Sequence, residues 1–222
     1  MQAVIFDMDG LMIDSEGIYW AVARQMAREF GKEVSDDTLG RMMGRAPLES
    51  VELYARELGL NRPPEQLMRE RDQRVLEIFQ GGIEPMPGLM QVVEDLRPRF
   101  KMAVATSARL SFVNIIFGGL GIHRFFDIIQ TSDDIHRGKP DPEIYLLAMS
   151  KLGVGPQDCF VLEDSSNGSL AGKRAGAYSI AVPSQYTRKQ DFSFADYVAR
   201  DLLDANAHID AIARQRNVYG PK

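Results

Sequence analysis

From residue 84 onward the chain alternates short apolar runs with helical stretches, and no other feature limits its fold as tightly. The runs cover 102–105, 126–129, 159–162 and 178–182, and helical candidates lie near 111–120, 142–152 and 168–175. Strands separated by helices imply a parallel sheet, because a parallel neighbour is reached only by a long crossover that packs back over the sheet. Such strands are buried on both faces and read as unbroken apolar runs. Residues 3–6, Ala-Val-Ile-Phe, form another such run and are expected in the same sheet.

Between that first run and residue 82 the pattern is helical, with no convincing strand. Candidate helices span 19–30, stopping at Gly31; start near Ser35 and Asp36, which suit an N-cap; run from Pro47 to Leu58 before Gly59; and run from Pro64 to Gly81-Gly82. At 222 residues the chain is long for one domain and short for two full-sized ones. An all-helical insertion of roughly 70 residues, interrupting a sheet domain just after its first strand, accounts for both facts.

The formal net charge of -5 argues against nucleic acid or an anionic membrane surface as the main partner. Cys159 is the only cysteine, so no internal disulfide can form, and it lies in an apolar run as a small buried hydrophobe would. The N-terminus carries no basic stretch followed by an apolar one, and no segment approaches ~18 uninterrupted apolar residues. A cytoplasmic protein, monomeric or weakly homodimeric, is expected.

In an open parallel sheet with helices on both faces, ligands bind at the carboxyl ends of the strands. The first run ends in Asp7, with Asp9 two residues on. The run at 102–105 ends in Thr106-Ser107, the run at 159–162 in Glu163-Asp164, and the run at 126–129 is followed by the loop Arg137-Gly138-Lys139-Pro140. Each piece alone has a plainer reading: Asp-x-Asp as a solvated turn, Thr106-Ser107 and Glu163-Asp164-Ser165 as helix caps, Lys139 as a surface residue. Four such pieces at four strand ends of one sheet point to a site.

Two carboxylates about 4 Å apart repel by roughly 4 kcal/mol at an effective dielectric near 20, so a cluster of them needs a cation. Oxygen ligands beside a substrate phosphate suit Mg²⁺, whereas His123, His136 and His208 are too scattered for a zinc-like site. A metal-held carboxylate beside a hydroxyl and a lysine can attack phosphorus, with a second carboxylate as acid and then base. Asp7 and Asp9 are placed to divide these roles, and Thr106 and Lys139 to hold phosphoryl oxygens.

The residues "DMDG" from Asp7 to Gly10, Thr106 in "VATSA", Lys139 in "GKPDPEIY" and "EDSSNG" from Glu163 to Gly168 resemble the four motifs of the haloacid dehalogenase superfamily, in order and across essentially the whole chain. The resemblance implies a Rossmann-like three-layer α/β core made of residues 1–14 and 83–222, with a small all-helical cap at 15–82. It also implies Asp7 as nucleophile and Asp9 as general acid/base. Metal ligands would come from Asp7, the Asp9 backbone carbonyl and Asp164, with Glu163 on or beside the metal. Thr106, Ser107 and Lys139 would bind phosphate.

Dehalogenating members lack the second acid, and phosphonate-cleaving members use a cap lysine. This chain has Asp9, and no lysine in its first cap helix before Lys32. Within the superfamily the chain resembles the branch holding β-phosphoglucomutase, pseudouridine 5'-phosphatase and sugar-phosphate phosphatases. Mutases there carry a histidine and an arginine in the cap where this chain has Tyr19 and Pro47, which favours hydrolysis. Arg45 in "MGRAP" sits close by and keeps a phosphosugar mutase as the alternative. Arg45, Arg41, Tyr19, Trp20 and Met12 are the candidates for specificity. The expectation is thus a Mg²⁺-dependent phosphatase for a sugar phosphate or nucleoside monophosphate. A phosphorylation-switched receiver is the non-enzymatic alternative, and Asp14 has no assigned role.

Overall fold

The computed structural model describes residues 1–43 and 47–218, so the Arg45 expectation lies outside the described residues. The chain forms two compact units, one from residues 1–14 together with the chain from 84 onward, the other from Ser15–Ile83.

Strand β1 (Ala3–Phe6) opens the first unit with four fully buried residues. The second unit follows as four helices: α1 (Ser15–Glu29), α2 (Asp36–Met42), α3 (Pro47–Leu58) and α4 (Pro64–Gln80). Ser35 caps α2 by accepting from the Thr38 amide at 3.1 Å, and Pro64 opens α4, where a missing N–H costs nothing. The Tyr54 hydroxyl donates to the Ala23 carbonyl at 2.8 Å and ties α3 to α1.

The first unit then continues with α5 (Leu89–Leu96), β2 (Lys101–Ala105), α6 (Leu110–Leu120), β3 (Ile128–Gln130), α7 (Glu143–Leu152), β4 (Cys159–Glu163), α8 (Ser166–Arg174), β5 (Tyr178–Ala181), β6 (Tyr197–Val198) and α9 (Leu202–Val218). All strands pair in parallel, in the order β3-β2-β1-β4-β5-β6. This is the Rossmann order, in which the connections wind outward in opposite directions from β1. A receiver sheet runs 2-1-3-4-5 instead, so the strand order speaks against the receiver alternative.

The two faces of the sheet are packed differently. Ala3, Ile5, Ala103, Ala105 and Val161 form one face with Ile144, Tyr145, Ala148 and Met149 of α7 and Ala171 of α8; the alanines let α7 approach closely. Side chains alternate along a strand, so Val4 and Phe6 face the other way. There Phe6 meets Phe126 edge-on at 5.8 Å, and Phe160 sits between Phe100 at 6.3 Å and Tyr178 at 5.6 Å. Pairs of this kind add about 0.5–1.5 kcal/mol beyond the area they bury. The Tyr178 hydroxyl lies 3.0 Å from His208 Nε2 of α9, whose ring stacks on Tyr197 at 3.7 Å.

The run at 126–129 becomes a strand only from Ile128. Phe126 is drawn into the aromatic packing. Asp127 accepts the Arg97 guanidinium at 2.8 and 2.7 Å and the Met102 amide at 2.9 Å, while its own amide donates to the Met102 carbonyl at 2.8 Å and leads the chain into the ladder. Helices α5 and α9 and strand β6 had no counterpart in the sequence reading. Among the described residues no helix is long and apolar enough to cross a membrane.

Candidate active site

The chain leaves β1 with its ladder intact, since the Asp7 amide donates to the Leu162 carbonyl of β4 at 2.9 Å. It then closes a tight loop: the Met12 amide donates to the Met8 carbonyl at 2.8 Å and the Gly10 amide to the Ile13 carbonyl at 2.9 Å. Gly10 has φ +76°, and a Cβ there would overlap the Asp164 carboxylate, so both the turn and the neighbour demand glycine. Beyond the loop, Ile13 bridges Pro85 and the Met86 amide donates to the Met12 carbonyl at 2.8 Å. Asp14 is exposed at this exit, directly before α1.

At the other side of β1, β4 delivers Glu163 and Asp164. Asp7, Glu163 and Asp164 are all buried, each with a carboxylate oxygen within 4.8 Å of the others. Among the described residues this is the one His/Cys/Asp/Glu cluster able to hold a metal ion. It lies where β1 meets β4, the point at which the sheet order reverses.

Lys139 enters this cluster from the loop between β3 and α7. Its ammonium donates to Asp7 Oδ1 at 2.5 Å, to Glu163 Oε1 at 2.7 Å and to the Ala105 carbonyl at 3.0 Å, which uses all three of its protons. Glu163 is saturated in turn. Oε1 also accepts from the Tyr145 hydroxyl at 2.8 Å, and Oε2 accepts from the Ser165 amide at 3.2 Å and hydroxyl at 2.9 Å. A Cβ on Gly168 would overlap that carboxylate.

Burial raises the Asp7 carboxyl well above the ordinary carboxylate range, Glu163 and Asp9 push in the same direction, and Lys139 opposes them. Burial works against the Lys139 ammonium, but Asp7 and Glu163 outweigh it and hold Lys139 protonated well above its usual range. Three clustered carboxylates thus share one ammonium. The surplus negative charge, the hard oxygen donors and the glycine that clears space for Asp164 fit a divalent cation such as Mg²⁺.

Thr106 is fully buried at the end of β2. Its hydroxyl donates to Asp9 Oδ2 at 3.1 Å and accepts from the Ala108 amide at 3.0 Å. Expected as a phosphate holder, it has its hydroxyl bonded to Asp9 in this geometry. Ser107 beside it is exposed. The structure therefore brings together Asp7, Glu163, Asp164 and Lys139, and joins Asp9 to Thr106.

The sequence reading missed Tyr145. Its ring lies 5.0 Å from the Lys139 ammonium and its hydroxyl holds Glu163. At helical spacing among apolar residues it looks like core, and only the buried acid opposite gives the hydroxyl a purpose. Tyr145→Phe keeps the ring and removes one charge-assisted hydrogen bond. It is expected to cost about 2 kcal/mol, a fall of ~4–8 °C in Tm by calorimetry.

The helical unit has features of its own. Tyr19 and Trp20 line a cavity of about 180 Å³ with Glu16, Leu39, Met42, Met43, Ser50 and Arg71. Arg71 lies 5.4 Å over the Tyr19 ring and pairs with Asp72 at 2.7 Å. Arg41 is engaged by Asp37 at 2.9 Å and Glu57 at 3.0 Å.

Residues 4–182 match the family model described as haloacid dehalogenase-like hydrolase. The chain is 33% identical over 177 residues to a phosphorylated carbohydrates phosphatase of Thermotoga maritima, covering 79% of this chain and 82% of that one. It is 29% identical over 183 residues to the fructose-1-phosphate phosphatase YqaB of Escherichia coli, covering 81% and 95%. Among solved structures it is similar to CbbY from Rhodobacter sphaeroides in complex with phosphate, with a TM-score of 0.78 and 26% identity, over 91% of this chain and 95% of that one.

Proposed function

This chain belongs to the haloacid dehalogenase-like hydrolase family, and we propose that it is a Mg²⁺-dependent phosphatase that hydrolyses a small sugar phosphate through a phosphoryl group carried on Asp7. The observation that carries this reading is the seating of Asp7 at the end of β1, within 4.8 Å of Glu163 and Asp164 and with Lys139 on one carboxylate oxygen. The relatives with phosphorylated carbohydrates and fructose 1-phosphate in their names point to the sugar class over nucleoside monophosphates.

In the first half-reaction an Asp7 oxygen attacks phosphorus and the bond from phosphorus to the sugar oxygen breaks. Asp9, held by Thr106, gives that departing oxygen its proton. In the second, Asp9 takes a proton from water as the water oxygen attacks phosphorus. The bond to Asp7 then breaks, and inorganic phosphate leaves. Lys139, donating to Asp7 Oδ1, opposes the upward push of burial and favours the carboxylate form that attacks, and Ser107, exposed beside Thr106, is placed to donate to a phosphoryl oxygen.

Asp7, Asp164 and the Asp9 carbonyl would hold the metal. Glu163, whose oxygens already take four donors, would sit behind it and fix Lys139. When bound, Mg²⁺ supplies positive charge to the clustered carboxylates and to the phosphoryl oxygens. The helical unit is the candidate for recognising the sugar. Its cavity combines aromatic faces, a hydroxyl and charged groups of both signs, the surface a polyol requires.

The test is a panel of phosphorylated metabolites offered to metal-free protein with and without added Mg²⁺, measuring both phosphate and isomerised sugar phosphate. Phosphate released from sugar phosphates only with Mg²⁺ is expected. Metal-independent release would overturn the reading, and an isomerised hexose phosphate as main product would replace it with the mutase.

A further inference from the structure

Thr187 belongs to the loop 183–191 between β5 and β6, yet it is 2% exposed and its hydroxyl reaches Asp164 Oδ2 at 3.5 Å. The directions of the hydrogen bonds around it follow from valence. A threonine hydroxyl has one proton and two lone pairs, and an ionised carboxylate can only accept. Thr187 Oγ1 accepts from the Ser184 amide at 2.9 Å and lies 3.1 Å from the Ser184 hydroxyl, which itself accepts from the Tyr186 amide at 3.3 Å. Every group is served when Ser184 donates to Thr187 and Thr187 donates to Asp164.

The loop that presents this hydroxyl is fixed in place. The Arg188 amide donates to the Ser184 carbonyl at 3.0 Å and the Gln190 amide to the Thr187 carbonyl at 2.8 Å. From α8, the Ser166 amide donates to Gln190 Oε1 at 2.8 Å and the Ser166 hydroxyl to the Asp191 carbonyl at 2.7 Å. On another side the Asp164 carboxylate lies against Gly10, where a Cβ would overlap it. The carboxylate is thus bounded by a backbone wall and a directed hydroxyl.

We infer that Thr187 is a positioning residue, whose hydroxyl sets the rotation of the Asp164 carboxylate so that its other oxygen faces the cation. The inference rests on the proposed role of Asp164 as a metal ligand. Partners that hold a ligating carboxylate change metal affinity by about 10–100-fold when removed. Substitution of Thr187 therefore acts first on metal binding.

The experiment is a titration of the metal-free full chain with Mn²⁺, followed by electron paramagnetic resonance, with far-ultraviolet circular dichroism reporting the fold. Thr187→Val, nearly equal in shape, is expected to weaken binding about 10-fold or more, and Thr187→Ser, which keeps the hydroxyl, to restore it. Asp164→Asn is the control for the underlying role. If Asp164→Asn loses Mn²⁺ and folded Thr187→Val binds as the parent does, the inference alone is overturned. If Asp164→Asn binds Mn²⁺ as the parent does, the metal-ligand reading is overturned and the inference with it. Should Thr187→Val not fold, Ser184→Ala decides: weakened binding in that variant supports the relay, and unchanged binding overturns it.

Discussion

Asp7→Asn leaves a folded protein that releases no phosphate. The loss is expected to be on the order of 10³-fold or more, because the amide is a poor nucleophile and nothing else at the end of β1 can take its place. The same change is expected to leave the metal-free protein at least as stable as the parent. Asp7, Glu163 and Asp164 have carboxylate oxygens within 4.8 Å of one another, with Lys139 bonded to the first two, and ionised carboxylates about 4 Å apart repel by roughly 4 kcal/mol at an effective dielectric of 20. Asparagine relieves that repulsion, while Glu163 and the Ala105 carbonyl still hold Lys139. Phosphate release and thermal unfolding measured on one preparation check both halves. A variant that keeps turning over would remove Asp7 from the mechanism, and one that unfolds early would make it a structural residue.

Lys139→Met has the opposite profile, losing activity and stability together. Removing the ammonium strands Asp7 and Glu163 in a site where their side chains are 8% and 1% exposed. Breaking a buried pair by deleting one partner costs about 3–5 kcal/mol, because the other charge stays behind. The sign with pH follows from the direction of each shift. The Lys139 pKa is raised on folding, so its contribution is complete at neutral pH and fades only as pH rises through that raised value. The Asp7 pKa is also raised, and it rises further without the ammonium. A carboxyl of that kind binds protons more tightly when folded, so the variant regains stability as pH falls from 7 towards 5. Denaturant unfolding across that window should show the gap to the parent narrowing in acid; a gap that stays constant or widens would refute the buried-pair account.

Much of the acidic site could be read from the residues, and the reason is local. Strands buried on both faces must be apolar for their whole length, so the first polar residues after 3–6, 102–105 and 159–162 mark the carboxyl edge of the sheet. Asp7, Thr106 and Glu163-Asp164 are those residues. Three elements were not anticipated. Helix α5 does carry a helical spacing, with Leu89, Val92, Val93 and Leu96 all buried, but it spans only 8 residues and follows directly on the turn-rich 84–88. Among the described residues of α9 the buried apolar positions are Leu202, Ala205 and Ile209, too few for a distinct stripe, and the buried polar Asn206 beside them bonds Asp95 of α5 at 3.1 Å. Strand β6 has two residues, and its existence depends on the edge that β5 offers.

What the sequence by itself determined is the alternation of strands and helices between 102 and 182, the helical insertion and the carboxylates at the strand ends, all consequences of periodicity and chain order. What only the tertiary structure decided is which atoms meet. Lys139 and Asp7 lie 132 positions apart and Tyr145 and Glu163 18 apart. Thr187 lies 23 positions from Asp164. A lysine, a tyrosine and a threonine have no fixed role as isolated residues. Each acquires one when burial removes water and leaves only fixed protein acceptors within reach of its protons, and that depends on how the crossovers pack the loops against the sheet edge.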